Sequence, residues 1–118
     1  MKKGLNDMAK DIHELAVKKG WWTINGIDDN VTEKSIGEQF ANFHGEVSEA
    51  WEEHRNGKLM SEVYYKDGKP EGIPIELADL IIRVLDTCSA YNIDIEKAIG
   101  IKHEYNETRS FRHGGKLA

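Results

Sequence analysis

Apolar residues recur at helical spacing over four stretches of the chain, each bounded by residues that start or stop helices. Leu5, Met8, Ile12, Leu15 and Ala16 form the first stripe. Steps of three and four place them on one face, which predicts a helix over residues 5–19 ended by Gly20. The second stripe is Ile36, Phe40, Phe43, Val47, Ala50 and Trp51. It predicts a helix from Val31 to Asn56, with Asn30 and Glu33 as a capping box and Gly57 as the stop. A third run, Leu77, Ala78, Leu80, Ile81, Ile82, Val84, Leu85 and Cys88, is apolar around most of the helix circumference. It predicts a central helix from Pro74, suited to a first turn, to about Tyr91. The fourth helix is expected over residues 95–110, capped by Asp94, with Ala98, Ile101 and Tyr105 packing inward.

The connections are uneven. Trp21-Trp22 follows the first helix at once and leads into the turn residues Asn25-Gly26 and Asp28-Asp29-Asn30. Adjacent tryptophans at a helix exit read either as a core lid or as an aromatic wall for a flat ligand such as a nucleobase. Residues 58–73 interrupt the helices. Asp67-Gly68 and Pro70-Glu71-Gly72 are turn signals, so the segment is expected to be a loop holding at most a short irregular hairpin. The expected fold is all-α: a single domain over residues 1–118, built like a four-helix bundle.

Beside the second apolar stripe runs a polar one, Gln39, Asn42, Glu46, Glu49 and Glu53, also at three-to-four spacing. Glu76 and Asp79 repeat the Glu46–Glu49 spacing on the next helix, and positions i and i+3 share a face. Two such helices packed together aim four carboxylates at one volume. Like charges in a water-poor crevice stay ionised only if a cation compensates them. An oxygen-only donor set selects a hard ion, so Mg²⁺ is expected, with Mn²⁺ as a substitute. His44 lacks the Glu-x-x-His context of a di-iron bundle. One cysteine and no His-rich spacing disfavour zinc.

Composition narrows the partners. At 118 residues, with 39% hydrophobic and 31% charged residues, the chain suits one soluble globular domain. No apolar run reaches a membrane span, and Met1-Lys2-Lys3 leads into an amphipathic segment with Asp7 and Asp11 rather than a signal peptide. Cys88, in an apolar run, is expected to be a reduced core residue, and the expected compartment is the cytoplasm. The net charge of −5 is lopsided: residues 28–54 carry Asp28, Asp29, Glu33, Glu38, Glu46, Glu49, Glu52 and Glu53 against Lys34 alone. Lys102, Arg109, Arg112 and Lys116 make the C-terminal part basic. That balance fits a metal-bound phosphate ligand and lacks the broad basic surface of a binder of polymeric nucleic acid.

Three phrases carry a resemblance: Gly45-Glu46-Val47-Ser48-Glu49-Ala50-Trp51-Glu52, Ile75-Glu76-Leu77-Ala78-Asp79, and Lys102-x-x-Tyr105-Asn106-x-x-Arg109. From about Ile36 to Lys116 the chain resembles the MazG-like, all-α nucleoside triphosphate pyrophosphohydrolases, relatives of the dimeric dUTPases and dCTP pyrophosphatases. The resemblance implies a helical bundle assembled as a homodimer or homotetramer. It also implies Mg²⁺-dependent hydrolysis of nucleotides to a monophosphate plus pyrophosphate. Carried over by motif, Glu46, Glu49, Glu76 and Asp79 become metal ligands. Lys102, Asn106 and Arg109 become phosphate contacts, with Tyr105 near the sugar or phosphates. Glu49 is the choice for orienting the attacking water. Gln39, Asn42 and Trp22 are candidates for meeting the base. A dUTPase-like enzyme that also accepts diphosphates, and a non-catalytic helical module binding nucleotide or Mg²⁺, are the alternatives.

Overall fold

The computed structural model describes residues 3–24, 27–28 and 33–110. Among these, the elements run α1 (Leu5–Lys18), β1 (Thr23–Ile24), β2 (Ile27–Asp28), α2 (Glu33–Arg55), β3 (Tyr64–Lys66), β4 (Lys69–Glu71), α3 (Ile73–Ala90) and α4 (Ile95–Thr108). The expected all-α character holds at this level, with two small antiparallel ribbons added. The capping box at Asn30, the Asn25-Gly26 turn and the basic residues Arg112 and Lys116 lie outside the described residues.

Helix ends follow the local chemistry. Gly20 takes φ +81° and Gly57 φ +86°, and Asn92 takes the same left-handed region at +55°. At each, the next amide reaches back over the last turn: Trp21 N–H to Ala16 O, Lys58 N–H to Glu53 O, and Ile93 N–H to Cys88 O, at 3.0, 3.1 and 2.8 Å. Carbonyls that a helix end would otherwise strand are thus satisfied. The expected start at Pro74 shifts by one residue, because α3 begins at the buried Ile73 with Pro74 still in its first turn.

The long connection is more regular than its sequence implied. Tyr64, Tyr65 and Lys66 pair with Glu71, Pro70 and Lys69 around a two-residue turn. Both turn residues, Asp67 and Gly68, have positive φ, as the twist of a tight hairpin demands. Pro70 is tolerated because a two-stranded ribbon leaves one side of each strand unpaired.

Helix α3 packs against both α1 and α2 and is the centre of the chain. The buried apolar residues are small or few: Ala9, Ala16, Trp22, Ala50, Ile73, Leu85 and Cys88. Cys88 is a free, buried thiol as expected, and burial raises its pKa. Two expectations about packing are corrected. The apolar stripe of α2 is split: Ala50 is buried and Phe43 half-buried, while Ile36, Phe40, Val47 and Trp51 are exposed, as are Leu77 and Ile81 on α3. On the polar stripe Glu46 is buried and Gln39 and Glu53 are half-buried, while Asn42 and Glu49 are exposed.

The second correction concerns α4. No α4 residue is buried, and Ala98, Ile101 and Tyr105 point to the surface rather than inward. Its anchorage is at its start, where Asn6 of α1 clamps it. Asn6 Oδ1 accepts from Ile95 N–H at 3.1 Å, and Asn6 Nδ2 donates to Asp94 Oδ1 at 2.8 Å. Asp94 in turn accepts from Lys97 N–H at 3.0 Å, which is the predicted cap. These bonds hold the Asp94 carboxyl below its usual range, Asn6 first and the Lys97 amide second. Within one chain the packed unit is therefore α1, α2 and α3, with α4 projecting from the end of α1. No helix among the described residues is long and apolar enough to cross a membrane.

Candidate functional site

The face where α2 meets α3 is lined with acids. Glu46 and Glu49 project from α2 and Glu76 from α3, and each offers an oxygen within 4.8 Å of the other two. Glu46 is 7% exposed and Glu76 9%, while Glu49 reaches solvent. Among the described residues, Glu46 Oε2 and Glu76 Oε2 are buried without any hydrogen-bond partner. A carboxylate oxygen in that condition is costly unless a cation or proton meets it.

The titration behaviour follows from the crowding. The Glu76 carboxyl is pushed up to about 7, first by burial and then by a hydrogen bond shared with Glu49 and the charges of Glu49, Asp79 and Glu46. Asp79, one turn on from Glu76 and half-buried, is also raised, by burial and then by Glu46. Arg83 supplies partial relief: its Nε donates to Glu46 Oε1 at 2.7 Å. The shared hydrogen bond of Glu49 and Glu76 and the guanidinium on Glu46 thus relieve part of the crowding. The donor set is carboxylate alone, which fits Mg²⁺ or Mn²⁺ and not a thiophilic metal.

A cleft continues from the acids toward the paired tryptophans. Its inner part, about 150 Å³, is lined by Glu46, Asp79, Ile82, Arg83, Asp86 and Trp21. Its wider part, about 480 Å³, shares Trp21, Arg83 and Asp86 and adds Trp22, Gln39 and Asn42. The three residues proposed from sequence to meet the base, Gln39, Asn42 and Trp22, therefore line one cavity next to the acids. Gln39 is steadied by Thr87, whose hydroxyl donates to its Oε1 at 3.2 Å.

One structural cluster escaped the sequence reading. Trp22 Nε1–H donates to both Asp86 oxygens, at 3.1 and 3.0 Å, and His13 Nδ1 lies 2.7 Å from Asp86 Oδ1. The His13 ring meets Trp22 edge-on with centroids 5.2 Å apart. Trp22 is thus both lid and wall, buried by its indole yet presenting surface to the cleft. The buried Asp86 on an apolar helix was the available signal, but nothing in the spacing linked it to His13, 73 positions earlier.

The basic group stands apart. Lys102, Tyr105, Asn106 and Arg109 lie together on exposed α4, with Lys102 Nζ 5.0 Å and Arg109 Cζ 6.0 Å from the Tyr105 ring centroid. Lys102 and Asn106 border an open surface hollow with Ile95, Ala98, Ile99 and His103. Helix α4 does not pack along α2 or α3, so one chain does not bring these residues to the acids.

Comparison with protein-family models, curated proteins and solved structures gives no significant match. The likeness to the MazG-like family rests on the motif residues alone.

Proposed function

We propose that the chain is a Mg²⁺-dependent nucleoside triphosphate pyrophosphohydrolase of the nucleotide pool, acting in the cytoplasm as a homo-oligomer. One observation carries the reading: the unpartnered, buried oxygens of Glu46 and Glu76 converge with Glu49 beside a cleft walled by tryptophans and side-chain amides. A structural bundle gains nothing from orphaned acids in a seam between helices.

Glu46, Glu49, Glu76 and Asp79 would hold the cation, and Mn²⁺ would substitute for it. Bound there, it supplies charge neutralisation and acidifies a coordinated water. The chain's own residues do the rest. Trp21 and Trp22 flank the base, while Gln39 and Asn42 offer amides to its edge. Glu49 is the one acid of the tight group open to solvent, and orients a water and accepts its proton. The water oxygen joins phosphorus as the link between the α and β phosphates opens, giving a nucleoside monophosphate and pyrophosphate. Arg83 lines the cleft beside the acids, where its charge can pass from Glu46 to a phosphate.

Oligomerisation is supported by the large apolar side chains that α2 and α3 leave exposed. Phe40 is 58% exposed, Trp51 59% and Ile81 55%, with Val47 and Leu77 also open. Covering the exposed halves of these five side chains would remove roughly 500 Å² of apolar surface, or about 12 kcal/mol before association costs. A second copy seated there would also offer its Lys102, Tyr105, Asn106 and Arg109 as the phosphate contacts that one chain lacks near its acids.

The test is a panel of dNTPs and NTPs with Mg²⁺, assayed for pyrophosphate rather than orthophosphate. Turnover of at least one nucleotide is expected, with Glu49→Gln lowering it at least 100-fold while the helical circular dichroism is unchanged. Absence of pyrophosphate for every nucleotide, or indifference to Glu49→Gln, overturns the proposal.

A further inference from the structure

Glu76 belongs to a second group of carboxylates that the motif does not contain. Glu53 of α2, Glu71 of β4 and Glu76 of α3 each offer an oxygen within 4.8 Å of the other two. We propose that Glu53, Glu71 and Glu76 form a second divalent-cation site, which shares Glu76 with the Glu46–Glu49 site. The inference rests on the cation reading of Glu76 given above, but not on the nucleotide chemistry.

Glu76 is more than nine-tenths buried, and its Oε2 has no hydrogen-bond partner among the described residues. A single carboxylate facing two acidic groups needs positive charge on both sides. Among the described residues Lys58 Nζ lies over the Tyr64 ring, 4.2 Å from its centroid, and Lys69 Nζ lies 3.8 Å from Glu71 Oε1. Lys69 is largely exposed, and a solvated pair of this kind offsets little charge. An oxygen-only trio again selects a hard ion.

The surrounding chain holds these acids in place. Tyr64 stands opposite Glu71 in the β3–β4 ladder, so the two side chains share a face. The Tyr64 hydroxyl donates to Glu53 Oε1 and Oε2 at 2.9 and 3.0 Å, tying the ribbon to α2. Such outer hydrogen bonds orient a ligand and preserve its charge. Gly72 then fixes the entry into α3: its φ is +119°, and a Cβ there would lie 2.3 Å from the Glu62 carbonyl oxygen. Glu71, at the end of β4, is thereby delivered five positions before Glu76 of α3. Residues 58–73, which interrupt the helices, have a purpose in this arrangement: the hairpin carries a ligand.

The experiment counts Mn²⁺ bound to the full-length, chelator-stripped protein, from the free-ion electron paramagnetic resonance signal during titration. Wild type is expected to bind two Mn²⁺ per chain. Glu71→Gln and Glu53→Gln should each leave one, and Glu49→Gln should leave the other. Tyr64→Phe should keep the count at two and weaken one class several-fold. A wild-type count of one overturns the proposal irrespective of how the variants fold, and so does a folded Glu71→Gln that still binds two. A count of one with pyrophosphate release removes the second site and keeps the activity. A count of two without release keeps the site and removes the activity.

Discussion

Glu76 couples folding to cation binding, and the coupling has a sign and a size. Its carboxyl titrates near 7 in the folded chain against an ordinary value of 4.5, with burial as the leading cause and Glu49 as the next. Between those values the folded state keeps a proton that the unfolded state has released. Stability therefore falls as pH rises through this window: the contribution is whole below about 4.5 and lost above about 7. At about 1.4 kcal/mol per unit, the loss is roughly 3 kcal/mol. Glu76→Gln keeps the shape and removes the titration. Without divalent ions, the variant and wild type should match near pH 4.5, and the variant should be roughly 3 kcal/mol more stable at pH 8. Saturating Mg²⁺ should reverse the order at pH 8, because the ion binds the folded wild type and replaces the proton. Urea unfolding followed by circular dichroism at pH 4.5, 6 and 8, with chelator or with Mg²⁺, measures both effects. A difference between wild type and variant that stays constant across this range, or equal stabilisation of both by Mg²⁺, refutes the reasoning.

Further outcomes follow from other contacts. Trp51→Glu, placed among the exposed apolar residues of α2, should convert the proposed oligomer to monomer by light scattering while leaving the helix content unchanged; an unaltered mass would show that this surface is not the interface. Asp86→Ala strands the Trp22 indole N–H in a buried place, so unfolding stability should drop by about 2–4 kcal/mol. Asn6→Ala removes the clamp on α4 and should cost about 1 kcal/mol. Its amide-exchange rates should rise at residues 95–97 and stay constant at the α2–α3 seam.

Much of the helical layout was legible from residue to residue. Gly20, Gly57 and Asp94 mark helix ends by backbone and capping chemistry that acts over a few positions. The hairpin was only half legible: Asp67-Gly68 announced the turn, but strands this short have no alternation to read. That Glu46 and Glu49 meet the acids of α3 was expected from their spacing; that Ile36, Phe40, Val47 and Trp51 stay exposed was not legible, because periodicity shows that a helix has two faces and not how much of each a neighbour covers. A large apolar stripe ordinarily turns inward; here small residues such as Ala50 and the acids do so. The group formed by His13, Trp22 and Asp86 was hidden for a similar reason, since its members lie far apart in the chain.

The sequence by itself determined where helices begin and end, and that two of them carry carboxylates at matching intervals, because both depend on interactions spanning three or four residues. The tertiary structure alone decided that Glu46 and Glu76 are buried with an oxygen each left unpaired, that Glu71 comes beside Glu76, and that α4 stands clear of them. Those outcomes depend on how separate helices cross and on what a hairpin brings across the gap, and no local pattern encodes either.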